Sequence, residues 1–466
     1  MNGAESLVRS LLASGVDTCF ANPGTSEMHF VAALDKVAGM RCVLGLAETV
    51  VTGCADGYGR MAGKPAATLL HCGPGFANGI ANVHNARRAN TPMVNLIGDH
   101  AIYHRPFDSP LTADTAWGAG GVVADALPVP MRDAVAPEVL THLVQLLRRR
   151  EPTVMVLSGQ ALSEAGQQAA HRIALATGVA LRASAQVARM PRGRGRVPID
   201  RIPYAIEGAL KSLAGHQHVV LVGAKPPTAF FGYPGKPSLM SPPDAQMHVL
   251  ARPDQDAVAA LEWLADALGA PAWAGAPDTG PRPMVQRGAF NPDAFAITLA
   301  ALLPDNAIVV EDAVTSGRSL FGHTFGAAAN DWLQITGGAI GHGFPCATGA
   351  AVACPERKTV CLQSDGGGMY ALQSLWTQAR ERLNVVNVVF ANRVYKILQG
   401  ELLAVGAQPG PASNELFDLA RPELNWVQLA NGMGVEAVRV QTLEGFADAF
   451  AAACARPGPF LIEFQI

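Results

Sequence analysis

The chain has no strongly basic field, no closely spaced cysteine pair and no apolar run long enough to cross a bilayer. Lys plus Arg number 35 against 38 Asp plus Glu, a formal charge of −3, and this near balance excludes the electrostatic footprint of a nucleic-acid binder. The eight cysteines, at 19, 42, 54, 72, 346, 354, 361 and 454, are scattered through mostly apolar stretches with no C-x-x-C pair. That excludes a disulfide framework and reads as reduced, buried thiol, as expected of a cytoplasmic protein. The opening MNGAESLVRSLLASGVD has an acidic residue and helical spacing where a secretory leader has a charged start and an unbroken apolar core, so no signal peptide and no membrane partner are expected. Only 16% of residues are charged while 49% are hydrophobic, a balance that suits large buried parallel sheets. A length of 466 residues suffices for two or three domains.

What is present is densest between Thr359 and Asn392. Thr359–Gln363 is β-branched and apolar, Ser364-Asp365-Gly366-Gly367-Gly368 supplies a tight turn, and Val385–Ala391 is a second apolar strand. Between them Leu372, Leu375, Ala379 and Leu383 fall at helical spacing, which predicts one helix. Strand, turn, helix and parallel strand bring Asp365 and Asn392, 392 − 365 = 27 positions apart, to the carboxyl edge of one sheet, where open parallel sheets bind ligands. Carboxylate, amide and backbone carbonyl oxygens suit a hard divalent ion such as Mg²⁺, and the glycine amides suit phosphate. Read alone, the stretch also fits an ordinary βαβ turn whose Asp caps the helix. It is not a G-x-G-x-x-G dinucleotide fingerprint, and its second strand ends in Asn rather than an acidic residue.

Asp365-Gly366 followed by Asn392 resembles the motif of the thiamine diphosphate-dependent enzymes, the family of acetolactate synthase and benzoylformate decarboxylase. The resemblance implies that Asp365, Asn392 and the backbone oxygen of Val394 hold Mg²⁺ on the diphosphate, beside Gly366 and Gly367. Ser364 and Ala391 depart from the family's usual Gly and Asn, and neither lost group is a metal ligand. Glu48, which alone reads as a helix cap, precedes Ala55-Asp56-Gly57-Tyr58-Gly59-Arg60 and is similar to the family's activating glutamate with its E…ADGYAR signature. That glutamate hydrogen-bonds the cofactor's pyrimidine ring. His71 matches a histidine that benzoylformate decarboxylase uses in proton transfer, although a bond to a neighbouring backbone group also fits. Thr25, in the Asn22-Pro23-Gly24 loop, matches that enzyme's substrate-binding serine. In TGGAIGHGFPCATGAAVA, residues 336–353, the resemblance makes a backbone oxygen near Gly338 the acceptor of the cofactor's amino group and Ile340 the side chain that bends the cofactor. Glu311–Ser316, with Thr315, suits its diphosphate end.

The implied fold is α/β with three doubly wound parallel-sheet domains: pyrimidine-binding over 1–118, middle over 137–270, and diphosphate- and metal-binding over 288–466. Gly-, Ala- and Pro-rich linkers join them at 118–137 and 269–287. The first domain reads as some tens of residues short near Asp114-Thr115. The middle domain's strand Val219–Gly223 ends at GAKPP without a glycine fingerprint, so FAD is not expected. Arg189, Arg192, Arg194 and Arg196 predict a solvated loop, with anion binding as the alternative. His100 and His104 lie in an irregular loop and are not expected to hold a metal. The expected function is thiamine diphosphate- and Mg²⁺-dependent decarboxylation of a 2-oxo acid with carboligation, in the manner of acetolactate synthase. A simple decarboxylase resembling that for benzoylformate is one alternative; a non-catalytic cofactor-binding or oligomer-forming subunit is the other. The resemblance further implies a homodimer or homotetramer, with each site shared between the first domain of one subunit and the third of another.

Overall fold

A computed structural model describes residues 1–114 and 132–466. Most of the first expected linker, and the far side of the Asp114-Thr115 junction, lie outside the described residues. In the first sheet β1 (Thr18–Ala21), β2 (Arg41–Leu44), β3 (Ala66–Leu70) and β4 (Met93–Ile97) run parallel in the order β2-β1-β3-β4. Alternate strand residues point to opposite faces. Cys19, Ala67 and Leu69 therefore pack on α1 (Gly3–Ala13) and α2 (Met28–Lys36) through Val8, Leu11 and Phe30. On the other face Phe20, Ala66 and Leu70 meet α3 (Glu48–Ala62) and α4 (Cys72–Ala89) through Val51, Cys54 and Phe76.

The second sheet orders β5 (Thr153–Leu157), β6 (Ala180–Ala183), β8 (His218–Val222) and β9 (Gln246–Ala251) as β6-β5-β8-β9, all parallel. One face packs on α5 (Pro137–Arg148), α6 (Glu164–Thr177) and α8 (Ala257–Ala267), the other on α7 (Ile206–Leu213). The third sheet has seven strands, in the order β14-β15-β13-β12-β10-β11-β7. They are β7 (Met190–Arg192), β10 (Ala307–Asp312), β11 (Asn330–Gln334), β12 (Thr359–Ser364), β13 (Val385–Ala391), β14 (Glu436–Val440) and β15 (Phe460–Gln465). All run parallel except β7. Val309, Val360 and Val388 face α9 (Pro292–Leu302). Ile308, Cys361 and Val389 face α10 (Gly343–Ala353), α11 (Ser374–Arg380) and α13 (Trp426–Gly432).

Two expectations are corrected. The arginine-rich segment is not a solvated loop: Met190–Arg192 is the edge strand β7, which leaves the second unit and pairs antiparallel with β11. Arg192 is fully buried, its guanidinium 3.6 Å from the Phe321 ring centre and 4.5 Å from that of Phe325, and it donates to the Phe321 carbonyl. Burial pulls its pKa down to about 9; the aromatic faces offset part of the lost hydration. Arg189 pairs with Asp331 at 2.9 Å, and only Arg194 of the four is exposed. The single helix expected after Gly368 is also broken. Residues Asp365–Gly368 make one helical turn, Met369–Gln373 bend, and α11 resumes at Ser374, ending before Leu383. The bend is packed in place: a Cβ on Gly368 would lie 2.6 Å from Trp426 Cη2, and one on Gly366 2.4 Å from Tyr395 Cε1.

The first and third units are joined by α3 crossing α10 with backbones in contact. A Cβ on Gly57 would lie 2.0 Å from the Cys346 carbonyl oxygen, and one on Gly349 1.8 Å from that of Cys54, so both positions require glycine. Beside the crossing, Arg60 grips Asp56 through Nε (2.9 Å) and Nη2 (2.6 Å) and reaches the Gln334 carbonyl at 2.6 Å. His342 Nε2 lies 2.8 Å from the same Asp56 carboxylate.

Candidate functional site

One group of side chains gathers at the carboxyl edge of the first sheet. Glu48 opens α3 and is buried; Asn78 Nδ2 donates to its Oε2 at 3.3 Å, and a Cβ on Gly75 would lie 2.8 Å from its Oε1. His71 leads into α4 from β3, and its Nδ1 lies 2.8 Å from Oε2 of the buried Glu27 and 3.2 Å from Ser26 Oγ. Both contacts use the same ring nitrogen. With Glu27 as carboxylate the Nδ1–H tautomer is held, which leaves Nε2 as the acceptor for a further partner. Glu27 is fixed in turn by the Gly24 amide (2.7 Å to Oε2) and the Ser26 hydroxyl (2.5 Å to Oε1), and a Cβ on Gly98 would lie 1.6 Å from Oε1.

Thr25 itself is exposed; its neighbour Ser26 makes the hydroxyl contact with His71, and with Cys72 Sγ at 3.0 Å. Glu27, His71 and Cys72 each offer a donor atom within 4.8 Å of the others, a set able to hold a metal, with the Ser26 hydroxyl lying among them. Sequence reasoning missed Ser26, Glu27 and Cys72. The available signal was a glutamate three residues after Gly24 in a loop at the carboxyl end of β1, with Gly98 at the carboxyl end of β4, two strands along the same sheet. His100, by contrast, contacts Ser109 Oγ at 3.1 Å and shares no metal-ligand group with His104 among the described residues.

The second group lies at the carboxyl edge of the third sheet. Asp365, buried at the end of β12, accepts the amides of Gly366 (Oδ1, 2.8 Å) and Arg393 (Oδ2, 2.7 Å). Burial pushes its carboxyl pKa up, against the pull of those amides. Asn392 follows β13, and its Oδ1 accepts the Val394 amide at 3.0 Å; the intervening Arg393 has φ +59, a left-handed conformation that non-glycine residues take where structure over-determines it. Thr315, Asn392 and Val394 share one cavity of about 780 Å³ with Ser316, Lys396 and α12 (Lys396–Ala404). Glu311, expected on this cavity, instead accepts Trp332 Nε1 at 2.9 Å and Gln334 Nε2 at 2.7 Å.

The Gly338–Gly341 loop adjoins this group, because a Cβ on Gly341 would lie 2.4 Å from Tyr370 Cβ and 3.4 Å from the Gly367 carbonyl oxygen. Asp312 Oδ2 accepts the Gly341 and Gly343 amides at 3.1 and 3.0 Å, and Asn85 Nδ2 donates to the Ala339 carbonyl at 2.9 Å. Ile340 is half-buried within it. Asp312 was expected only among the polar groups at the diphosphate end, and Asn85 and His342 were not singled out from sequence; their partners are distant in the chain.

Within one chain Glu48 abuts Gly75 at the start of α4 and the Gly338 loop abuts Asn85 further along it; between them Asn82 Nδ2 donates to the Thr49 carbonyl at 2.8 Å and Asn85 Nδ2 to Asn82 Oδ1 at 2.9 Å.

Residues 1–116 match the family model described as "Thiamine pyrophosphate enzyme, N-terminal TPP binding domain", and residues 321–464 match its C-terminal TPP binding domain. The chain is 46% identical to the "Putative acetolactate synthase large subunit IlvX" of Mycobacterium tuberculosis, over 100% of this chain and 99% of that one. It is 26% identical to the benzoylformate decarboxylase of Pseudomonas aeruginosa, over 96% of each. Among solved structures it superposes on a thiamine diphosphate-dependent 4-hydroxybenzoylformate decarboxylase of Rhodococcus jostii with TM-score 0.84 and 22% identity, covering 99% and 98% of the two chains. The benzoylformate decarboxylase of Polynucleobacter necessarius gives TM-score 0.80 and 19% identity, covering 100% and 99%. At these identities the structural likeness establishes the fold.

Proposed function

The chain belongs to the thiamine pyrophosphate enzyme family, and on that premise we propose that it decarboxylates a 2-oxo acid with thiamine diphosphate and Mg²⁺ bound. The residues fit that cofactor. Asp365 is a buried carboxyl that accepts the Gly366 and Arg393 amides; neither amide carries a full charge, so the carboxylate keeps lone pairs and an unmet need for a cation. Asn392 and the Val394 carbonyl add two more oxygens beside it, the hard donor set that Mg²⁺ takes. Gly366, Gly367 and Thr315 would hold the diphosphate, the Gly338 carbonyl and Ile340 the pyrimidine end, and Glu48 the pyrimidine ring nitrogen. When bound, thiamine diphosphate supplies the carbon that adds to the ketone and the electron sink that lets CO₂ leave.

The observation that carries the decarboxylase reading is the Glu27–His71 pair. With Nδ1–H held by Glu27, Nε2 is left to take up a proton and then deliver it to the reacting carbon, the protonation that completes a decarboxylation. Ser26 and Thr25 lie beside it to orient a substrate carboxylate. Ligation to a second carbonyl is the other reading, favoured by the acetolactate synthase name of the 46%-identical relative. CO₂ release from 2-oxo acids with product analysis separates the two: an aldehyde supports decarboxylation, a 2-hydroxy ketone supports ligation. Glu48→Gln should abolish turnover yet leave cofactor bound, and unchanged turnover contradicts the assignment. Retained binding with no turnover by the unaltered protein would favour a non-catalytic subunit.

The family resemblance supports a site completed by two copies, the first unit of one facing the third of the other, in a homodimer or homotetramer. The exposed Met28 and Leu46 beside the first group, and Met369 and Tyr370 beside the second, are apolar surfaces for that meeting. Domain limits of 1–118, 137–270 and 288–466 fit this arrangement, with β7 reaching across from the middle unit. Among the described residues no helix is long and apolar enough to cross a membrane. The eight free cysteines support a cytoplasmic location.

A further inference from the structure

β1 runs into the loop that carries Glu27, and β2 into the turn that carries Glu48. Within these strands Cys19 and Cys42 are direct partners in the parallel register. Adjacent strands lie about 4.7–4.9 Å apart, inside the roughly 4.4–6.8 Å between Cα atoms that a disulfide spans. Side chains paired in register leave the sheet on one face, and here the two thiols meet in a hydrogen bond. Cys19 is fully buried against α1 and α2, whereas Cys42, on the edge strand β2, is the one exposed cysteine of the eight. The hydrogen bond from Cys19 pulls the Cys42 pKa down against its own partial burial, and the same contact, with burial, pushes that of Cys19 well up. The accessible sulfur is therefore the one favoured as thiolate, the form that reacts with oxidants.

We infer that Cys19 and Cys42 are a redox-active dithiol that a hydroperoxide closes to a disulfide, and that closing it slows the reaction at the first group. The Cys42 thiolate attacks one peroxide oxygen; the O–O bond breaks, the sulfur becomes a sulfenic acid, and the other oxygen leaves as hydroxide and takes up a proton to give water. The Cys19 sulfur then displaces the hydroxyl from the Cys42 sulfur, and the thiol proton leaves with that hydroxyl as a second water. Two electrons pass from the sulfurs to the peroxide, and a small dithiol reverses the bond by exchange. A disulfide needs Cβ atoms about 3.5–4.5 Å apart, closer than neighbouring strands hold them, so closure draws β1 and β2 together just before the turns that place Glu27 and Glu48. Arg41, beside Cys42, ties β2 to the Val352 carbonyl at 3.4 Å and to Glu381 at 3.7 Å, so a shift of β2 is also felt by the third unit. The effect on turnover rests on the decarboxylase reading; the dithiol itself does not.

The test uses the full chain loaded with thiamine diphosphate and Mg²⁺ and treated with hydrogen peroxide. Disulfides are mapped by mass spectrometry of peptides kept unreduced, and CO₂ release from benzoylformate and pyruvate is measured before treatment, after it, and after dithiothreitol. The wild type is expected to lose two of its eight thiols with Cys19 joined to Cys42. Its CO₂ release should fall at least about tenfold, since a misplacement of about 1 Å costs about 10²-fold, and dithiothreitol should restore both. Cys42→Ser should form no such link and keep its turnover under the same peroxide. Absence of the Cys19–Cys42 link, or a link with turnover unchanged, overturns the inference. So does equal inactivation of the wild type and Cys42→Ser, which would place the oxidised sulfur at Cys72 beside His71. Turnover of neither acid by the untreated protein would contradict the decarboxylase reading instead, and the peptide map then still decides whether the dithiol closes.

Discussion

Glu27 Oε2 and His71 Nδ1 lie 2.8 Å apart at the carboxyl edge of the first sheet, and Gly24, Ser26 and Gly98 leave the carboxylate no room to turn away. Glu27→Gln keeps the shape and loses the charge that sets the tautomer. Because positioned proton transfer contributes about 10²–10⁴-fold, the variant should lower kcat for CO₂ release by a factor in that range while thiamine diphosphate affinity, followed by calorimetry, stays within about twofold. Wild-type turnover would show that the pair has no part in the reaction.

The Asp56–Arg60 pair is a structural prediction. Both side chains are buried, and Asp56 also receives His342. Burial pushes the Asp56 carboxyl pKa up, but Arg60 and His342 hold it well below the usual carboxylate range. Asp56→Ala leaves two buried cations facing each other, and breaking one partner of such a pair destabilises by about 3–5 kcal/mol. Urea unfolding should show that loss, because the network ties α3 to the loop at Thr336 and to α10.

The same network predicts how stability depends on pH. Burial pushes the His342 imidazolium down, Cys346 and the Asp56 carboxylate more than offset it, and its pKa rises to about 9 against an ordinary 6.5. A raised folded value means the contribution is fully present below 6.5 and is lost as pH rises through about 9. The unfolding temperature should fall across that window, and His342→Gln should flatten the fall. His248 acts oppositely: burial, then His218 and His142, push its pKa down. Its contribution is present above 6.5 and lost as pH drops below it, so His248→Gln should flatten the acid limb.

At the α3–α10 crossing, Gly57→Ala would drive a Cβ to 2.0 Å from the Cys346 carbonyl oxygen. The obstacle is backbone rather than the end of a flexible side chain, so the helices must separate. Overpacking of this kind costs about 1–3 kcal/mol, read as a lower denaturant midpoint with thiamine diphosphate affinity also reduced, since α10 continues the loop at Gly338.

The parallel strands at Thr359 and Val385 and the Asp365–Asn392 convergence were legible because buried parallel strands read as continuous β-branched runs and their ends share an edge. β9 was not legible: Gln246, Met247 and Val249 are exposed on an edge strand, so its sequence alternates weakly. β7 was unreadable for another reason. Its arginines look solvated, and the rings that cage Arg192 come from Phe321 and Phe325, well over a hundred positions away. The helix after Gly368 was drawn too long because spacing among Leu372, Leu375 and Leu383 does not report a bend packed under Trp426. At the site, Glu48, His71, Asp365 and Asn392 stand out as motif residues. Glu27 and Asp312 act through contacts that only the folded chain supplies.

The most direct test of the metal-dependent cofactor site is calorimetric titration of thiamine diphosphate into the protein with and without Mg²⁺, repeated on Asp365→Asn. Binding that needs Mg²⁺ in the wild type and is lost in the variant, with the circular dichroism spectrum unchanged, is the expected result. Equal binding without Mg²⁺, or wild-type affinity in Asp365→Asn, would contradict it.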